Sequence, residues 1–392
     1  MNVVELTRKL VSFQSINPPG DESAAISFIG QWLQGIGFDV QICSFGDRRA
    51  NLVARFGPQQ SPLCLSGHID VVPLGTAQWQ HDPFAGEEID GRLYGRGSCD
   101  MKGGIAAFLV AIENLLRSHK ALRNGILIII TGGEETGCTG ARALTEQISP
   151  PAACLLVIPE PTSNEPVIAH KGVAWLKLVT KGKTAHGSMP DQGINAITKM
   201  AHALIALSDT PLPGAHHPVL GHATFNVGMI GGGLNTNSVA DLCWANVDIR
   251  LTPNCSAQDI QKWIAQTAPD VIIEQVIAQC PSVYTDPHEP NVASVLKKLH
   301  DDRLIVHPQG KAIDVAPCAG HNHVDYDPAE DVTSAVYFTD ASVLKSWLGD
   351  VPTLILGPGD GFMAHKTDEY VDVEKLERSV SIFERIVADR CL

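Results

Sequence analysis

The sequence predicts an α/β fold: a mostly parallel-sheet catalytic domain with helices on both faces, interrupted by an inserted ferredoxin-like α+β domain. Three observations predict it. Short β-rich apolar runs alternate with helical stripes, the order of βαβ units. Those runs are continuous rather than alternating, as in strands buried on both faces. The middle of the chain then changes to a β-α-β-β-α-β order.

In chain order, "MNVVELTRKLVSFQSINPPG" reads as a short amphipathic helix; it has no basic stretch followed by an apolar one, so a cytoplasmic protein is expected. "PLCLS" ends at Ser66, just before Gly67-His68. Ile105, Phe108, Leu109, Ile112, Leu115 and Leu116 form one stripe at helical spacing, opened by Gly103-Gly104 with Asp100 just ahead. "GILIIIT" (Gly125–Thr131) precedes "GGEE", "CLLVIPE" (Cys154–Glu160) ends in a glutamate, and "TLILGPG" (Thr353–Gly359) precedes "DGFMAH".

The middle reads as strand Gly172–Thr180, helix Ile194–Leu207, strands Thr224–Ile230 and Leu242–Thr252, a Ser-capped helix Ser256–Ala268, and strand Val271–Ala278. "YTDPHEPN" is a turn-rich exit. The expected domains are therefore 1–171 with 286–392, and an insert at 172–285.

A chain of 392 residues exceeds one comfortable core, which agrees with two domains. No run of about 18 apolar residues exists, so no membrane span is expected. A formal charge of −14 argues against nucleic acid or an anionic membrane surface as partner. The ten cysteines form no CxxC pair and are expected to be reduced, with Cys99 and Cys138 as packing residues. The glycine run Gly231–Gly233 lacks a following Lys-Ser/Thr and is no phosphate loop.

His68-x-Asp70 alone reads by default as the polar end of a strand, not as a metal ligand and its helper. The other strand ends decide. In an open parallel sheet, residues beyond the carboxyl ends of the strands share one crevice. His68, Glu134-Glu135, Glu160 and His365 each follow such a run, and Asp100 joins from a loop before a helix. Three or more carboxylates in one crevice repel unless something neutralises them, and a divalent metal pair does so. Two imidazoles and three carboxylates suit two Zn2+, with Co2+ or Mn2+ as substitutes. His216, His217, His222 and the "HNH" at His321–His323 have no strand-end carboxylates beside them and are not expected to bind metal.

The chain resembles the zinc-dependent amidohydrolase and peptidase family of acetylornithine deacetylase, succinyl-diaminopimelate desuccinylase, aminoacylase and carboxypeptidase G-type enzymes. The matching stretches are "SGHIDVVP", "DGRLYGRGSCDMKGG", "TGGEETGCTGAR", "PEPTSNEPVIAHKG", "KTAHGSMP", "GGGLNTNSVADLCWANVDIRLTP" and "GPGDGFMAHKTDEYV", which together span nearly the whole chain. The resemblance implies one zinc on His68 and Glu160, another on Glu135 and His365, and Asp100 bridging. It implies that Glu134 is the general base and that Asp70 orients His68. His186 would reach the active site of a partner subunit, making the enzyme a homodimer through the insert. Asn237 and Arg250 would hold a substrate carboxylate, and Thr339 and Ser342 fall in the family's substrate loop, though the glycine-rich lead-in seen in several members is missing.

The implied activity is cleavage of the amide bond of an N-acyl amino acid, in the manner of a deacetylase or desuccinylase. The alternatives are a carboxypeptidase or dipeptidase using the same centre, and a non-catalytic amino-acid or peptide binder. Glu160 fits the desuccinylase and carboxypeptidase pattern, whereas "PEPTSNEPVIAHKG" and "AHGSMP" lean towards the deacetylase.

Overall fold

The computed structural model describes residues 1–118, 121–304 and 328–392. The histidines of "HNH" lie outside the described residues. Two compact units emerge. The first comprises Met1–Ala169, Tyr284–Ser334 and Thr339–Leu392; the second comprises His170–Val283 and Ala335–Phe338.

The chain opens with helices α1 (Val3–Val11) and α2 (Ser23–Gly35), then strands β1 (Asp39–Gly46), β2 (Arg49–Phe56) and β3 (Leu63–His68). A side hairpin of β4 (Glu88–Ile89) and β5 (Arg92–Tyr94) leads to α3 (Gly103–Ser118), β6 (Ile126–Thr131), α4 (Thr139–Gln147), β7 (Leu155–Ile158) and β8 (Val167–His170). Next come β9 (Gly172–Lys181), α5 (Ala196–Asp209), β10 (Thr224–Gly232), β11 (Leu242–Leu251), α6 (Ala257–Thr267) and β12 (Ile272–Cys280). The chain closes with β13 (Val283–Tyr284), α7 (Pro290–Asp301), β14 (Thr333–Ala335), α8 (Ala341–Trp347), β15 (Thr353–Ile355), β16 (Tyr370–Asp372) and α9 (Val373–Cys391).

Among the described residues, the main sheet runs β1-β2-β6-β3-β7-β15-β8-β13, with β14 paired to β8. Its centre, β6-β3-β7-β15, is parallel, while β1, β2 and β8 pair antiparallel at the flanks. Every residue of β3, β6 and β7 is buried, which is why these strands read as unbroken apolar runs. Helices α3 and α9 pack together and reach β3, and α2 and α4 pack on β1 and β2. Asn2 and Glu5 form a reciprocal cap that starts α1.

The second unit has sheet order β10-β11-β9-β12 with all neighbours antiparallel. With its two helices it has the β-α-β-β-α-β order of a ferredoxin-like unit. Strand β11 alternates buried and half-exposed positions, and its buried Cys243, Ala245, Val247 and Ile249 meet Met200 of α5 and Ile260, Trp263 and Ile264 of α6 in one core. Ser256 and Asp259 cap α6 reciprocally. One difference from the expected boundaries stands out: Ala335–Phe338 belongs to this unit. The Lys171 N–H donates to the Ala335 carbonyl at 3.1 Å, and Phe338 packs edge-on against Trp175. So short a return leaves no composition signal.

Candidate metal centre

Parallel pairing brings the site together. His68 is the last residue of β3 and pairs in register with Thr131, the last of β6, so Glu134-Glu135 emerge beside it. β7 lies on the other side of β3 and delivers Glu160 two residues past its end. β15 pairs in parallel with β7, and its downstream loop carries His365. Asp100 lies in the tight segment just before α3.

The Asp100 carboxylate lies between the two imidazoles. Its Oδ1 is 3.2 Å from His68 Nε2 and its Oδ2 is 3.4 Å from His365 Nε2. Glu160 Oε1 is 3.9 Å from His68 Nε2, and Glu135 Oε1 is 3.1 Å from His365 Nε2. The cluster is therefore arranged as two sides sharing Asp100: His68 with Glu160, and His365 with Glu135. His68 is deeply buried, whereas the His365 side chain is about half exposed at the rim.

Asp70 is fully buried and does more than face an imidazole. Its Oδ1 is 3.5 Å from His68 Nδ1, while its backbone carbonyl is nearer, at 3.0 Å. Its carboxylate also accepts from Asn17 Nδ2 (2.8 Å), Glu134 N (3.2 Å) and Glu135 N (3.3 Å). The Asp70 backbone carbonyl thus orients His68 through Nδ1, while its carboxylate holds the turn that carries the Glu-Glu pair.

The electrostatics follow from crowding. Burial pushes the Glu134 carboxyl well above its ordinary range, and neighbouring Glu160, Glu135 and Asp340 push it further. Burial, then Asp100, does the same to Glu160, and burial raises Glu135. Against the cost of burial, hydrogen bonds from His365 and His68 hold Asp100 below the carboxylate range, and His68 and Asn17 do so for Asp70. Asp100 and Glu135 raise the His365 imidazole to about 10. For His68, Asp100 and Asp70 outweigh burial and raise it well above the ordinary imidazole value.

The donor set fits divalent metal. Two donors on one tetrahedral zinc, each about 2.0–2.1 Å from it, stand about 3.3 Å apart. Three of the four separations just given fall within a few tenths of that value, and the His68–Glu160 separation is somewhat longer. Asp70, Asp100, Glu134, Glu135 and Glu160 outnumber the two imidazoles, so even two protonated rings leave surplus negative charge that a dication offsets. Among the described residues, His68, Asp100 and Glu135 place one ligand atom each within 4.8 Å of one another.

The remaining expected residues lie elsewhere. His186, Asn237 and Arg250 belong to the second unit. His186 is exposed; its Nδ1 accepts from the Ser188 backbone N–H at 3.2 Å and lies 2.7 Å from Ser188 Oγ, which leaves the proton of the neutral ring on Nε2. Asn237 is exposed on a loop. The Arg250 guanidinium pairs with Asp248 at 3.0 Å and donates to the Val336 carbonyl at 3.4 Å, so its fork is partly engaged by its own unit. Thr339 and Ser342 are buried, and the Thr339 hydroxyl accepts from Ala341 N at 3.1 Å at the start of α8. Nothing in that geometry assigns them a substrate contact.

Sequence reasoning missed four buried residues around the centre. Asn17 holds Asp70. Asp340, next to Thr339, accepts from the Thr131 hydroxyl and is raised to about 6, by burial first. Arg96 and Glu369 form a buried ion pair behind Asp100. A polar residue that becomes wholly buried was the available signal, and it is not visible in a sequence. Cys99 and Cys138 are buried. His216 stacks edge-on against His222, and His217 Nδ1 accepts from two backbone N–H groups of its own turn.

The profile described as "Peptidase family M20/M25/M40" matches residues 64–389, most of the chain. The chain belongs to this family. Acetylornithine deacetylase of Proteus mirabilis (strain HI4320) is 30% identical over 411 residues, covering 99% of this chain and 97% of that protein. The acetylornithine deacetylase of Pasteurella multocida (strain Pm70) is 31% identical over 401 residues, covering 97% and 95%. Among solved structures, the M20 family metallo-carboxypeptidase Sso-CP2 of Sulfolobus solfataricus superposes with a TM-score of 0.77 at 16% identity, covering 99% of this chain and 98% of that one. A dinuclear metal-binding peptidase of the M20 family from Bacillus subtilis superposes with a TM-score of 0.67 at 14% identity, covering 98% and 97%. Membership of the M20/M25/M40 family makes this chain a metal-dependent hydrolase of amide bonds. No described helix is long and apolar enough to cross a membrane.

Proposed function

We propose that the chain is a dinuclear zinc amidohydrolase that cleaves the amide bond of a small N-acyl amino acid, with an acyl group such as acetyl or succinyl. The observation that carries this reading is the Asp100 carboxylate, with one oxygen towards His68 and the other towards His365. His68 and Glu160 would hold one ion, His365 and Glu135 the other, and Asp100 would bridge. Two ions there supply Lewis acidity towards the amide carbonyl and lower the proton affinity of water.

The protein groups do the rest. Glu134, buried beside the cluster, would take a proton from the attacking water and return it to the leaving amine. Asp70 keeps His68 and the Glu134-Glu135 turn in place. His186, with its proton on Nε2, is a donor suited to the developing oxyanion, and Ser188 fixes that tautomer. Asn237 and Arg250 remain candidates for the substrate carboxylate, which Arg250 would meet by leaving the Val336 carbonyl.

The identity of about 30% to acetylornithine deacetylases over nearly the full length supports the deacylase reading over a peptidase one. A homodimer through the second unit is part of the proposal. β10 is an edge strand of its sheet, and Met229 and Ile230 on it are exposed, as are Ile197 and Ile205 on the α5 helix that packs beside it. Localisation to the cytoplasm is likewise proposed.

The deciding experiment is a hydrolysis screen of the metal-loaded protein on N-acetylornithine, N-acetylcitrulline, N-acetylglutamate, N-succinyl-diaminopimelate and simple dipeptides. Release of acetate or succinate with the free amino acid supports the proposal. Preferred release of two amino acids overturns it in favour of a dipeptidase.

A further inference from the structure

We infer that the buried pair Arg96–Glu369 is a positioning device that fixes Asp100 and His365 relative to each other, so that the paired ion sites depend on two residues that touch neither ion. The inference rests on the dinuclear reading above.

Glu369 is 1% exposed. Its Oε1 accepts from three backbone N–H groups of one loop, those of Gly97, Cys99 and Asp100, each at 3.0 Å. Its backbone carbonyl accepts from Gly95 N at 2.8 Å. The loop that presents the Asp100 carboxylate is thus gathered onto a single side chain. Its freedom to shift is small, because Gly97 sits at φ +86° and an added Cβ there would lie 2.6 Å from Val71 Cγ1.

The other carboxylate oxygen of Glu369 meets Arg96 Nη1. Arg96 is also 1% exposed, and its guanidinium lies 5.2 Å from the centroid of the Trp79 ring. From there Nη2 donates to the backbone carbonyls of Pro73 (3.3 Å) and His365 (3.4 Å). His365 has φ +65°, a left-handed conformation that a residue with a Cβ keeps only where its surroundings impose it. The Arg96 fork supplies one such restraint.

The two ends of the pair therefore terminate on the backbones of two proposed ligands that are separated by most of the chain. A buried ion pair is a weak stabiliser by itself, because taking both charges out of water offsets their attraction. Packing could be met by apolar side chains, whereas a fork and a carboxylate aimed at specific backbone groups serve placement. Groups that orient metal ligands typically change metal affinity or activity about 10- to 100-fold when altered.

The test uses the full-length protein, stripped with chelator and titrated with Zn2+ alone by calorimetry, and with Co2+ alone by visible absorption. Arg96→Lys keeps a positive charge beside Glu369 but loses the planar fork to Pro73 and His365. Glu369→Gln keeps size and one acceptor but loses the ion pair. For wild type, two binding events per chain are expected. Arg96→Lys should weaken one event about 10- to 100-fold, leave the other within about threefold, and change the Co2+ spectrum. Glu369→Gln, which acts on the bridging Asp100, should weaken both. Wild-type affinities and spectra in a folded Arg96→Lys protein overturn the inference, as does a lower unfolding midpoint of the metal-free protein with unchanged ion affinity. If Glu369→Gln does not fold, Arg96→Lys alone decides. A wild type that takes up fewer than two ions defeats the dinuclear reading itself, an outcome visible before any variant is compared.

Discussion

Replacing Asp70 with asparagine changes almost no volume and removes one charge, so its effect can be worked from the contacts. Between them the two Asp70 oxygens accept from Asn17 Nδ2, Glu134 N and Glu135 N. Asparagine offers one accepting oxygen. With the amide oriented to keep Asn17 and Glu135, its NH2 confronts the Glu134 N–H, and a buried donor is left without an acceptor. That costs about 1–3 kcal/mol, and losing the charge from the two retained bonds raises the total to about 2–4 kcal/mol. The same change removes the carboxylate beside His68 Nδ1 and loosens the turn bearing Glu134, for which about 10- to 100-fold in metal affinity or activity is expected. Denaturant unfolding of the metal-free protein measures the first quantity. Zinc titration and kcat/KM on the best substrate of the hydrolysis screen measure the second. An Asp70→Asn protein within about 0.5 kcal/mol and threefold of wild type would refute the reasoning, because it would mean that the Asp70 carboxylate does not hold the turn.

Glu134→Gln should lower kcat about 10²- to 10⁴-fold while the loaded protein still binds zinc; full activity would remove Glu134 from the chemistry. Ser188→Ala removes the hydroxyl beside His186 but keeps the backbone N–H that donates to its Nδ1, so zinc content should not change and 15N shifts of His186 should still show the Nε2–H tautomer; a switch to Nδ1–H would remove that backbone bond from the account. Metal-free stability should fall as pH rises: the raised carboxyls of Glu134, Glu135 and Glu160 contribute below their unfolded values and lose that contribution as pH climbs through their folded ones. His365 behaves likewise between its unfolded value and about 10. Zinc must displace those protons, so the stabilisation it adds should be larger at pH 8 than at pH 6, read from unfolding midpoints with chelator and with metal.

The sheet was legible because its centre is buried on both faces. "LCLSGH" and "ILIIIT" carry no polar alternation because neither face of β3 or β6 meets water. The candidate cluster was legible for a related reason: parallel strands put their carboxyl ends in one crevice, so a histidine or glutamate past an apolar run is already placed. Asp100 was harder, since it enters from a loop rather than a strand end, and its bridging role came from the family resemblance. What stayed hidden depends on contacts far apart in sequence. Nothing local tells Glu369 from the less buried acids around it, yet it is buried against the Asp100 loop. Thr339 and Ser342 entered through the resemblance to the family's substrate loop; both are buried, and Asp340 between them gave no sequence signal. The return of Ala335–Phe338 to the second unit is carried by a ring contact and a few backbone bonds, which have no periodicity.

Anomalous diffraction from crystals of the zinc-loaded protein, collected at the zinc edge, tests the dinuclear centre most directly. Two peaks are predicted per chain, about 3.5–4 Å apart, one against His68 and Glu160 and the other against His365 and Glu135, with the Asp100 carboxylate between them. A single peak at full zinc loading, or peaks away from Asp100, would contradict it.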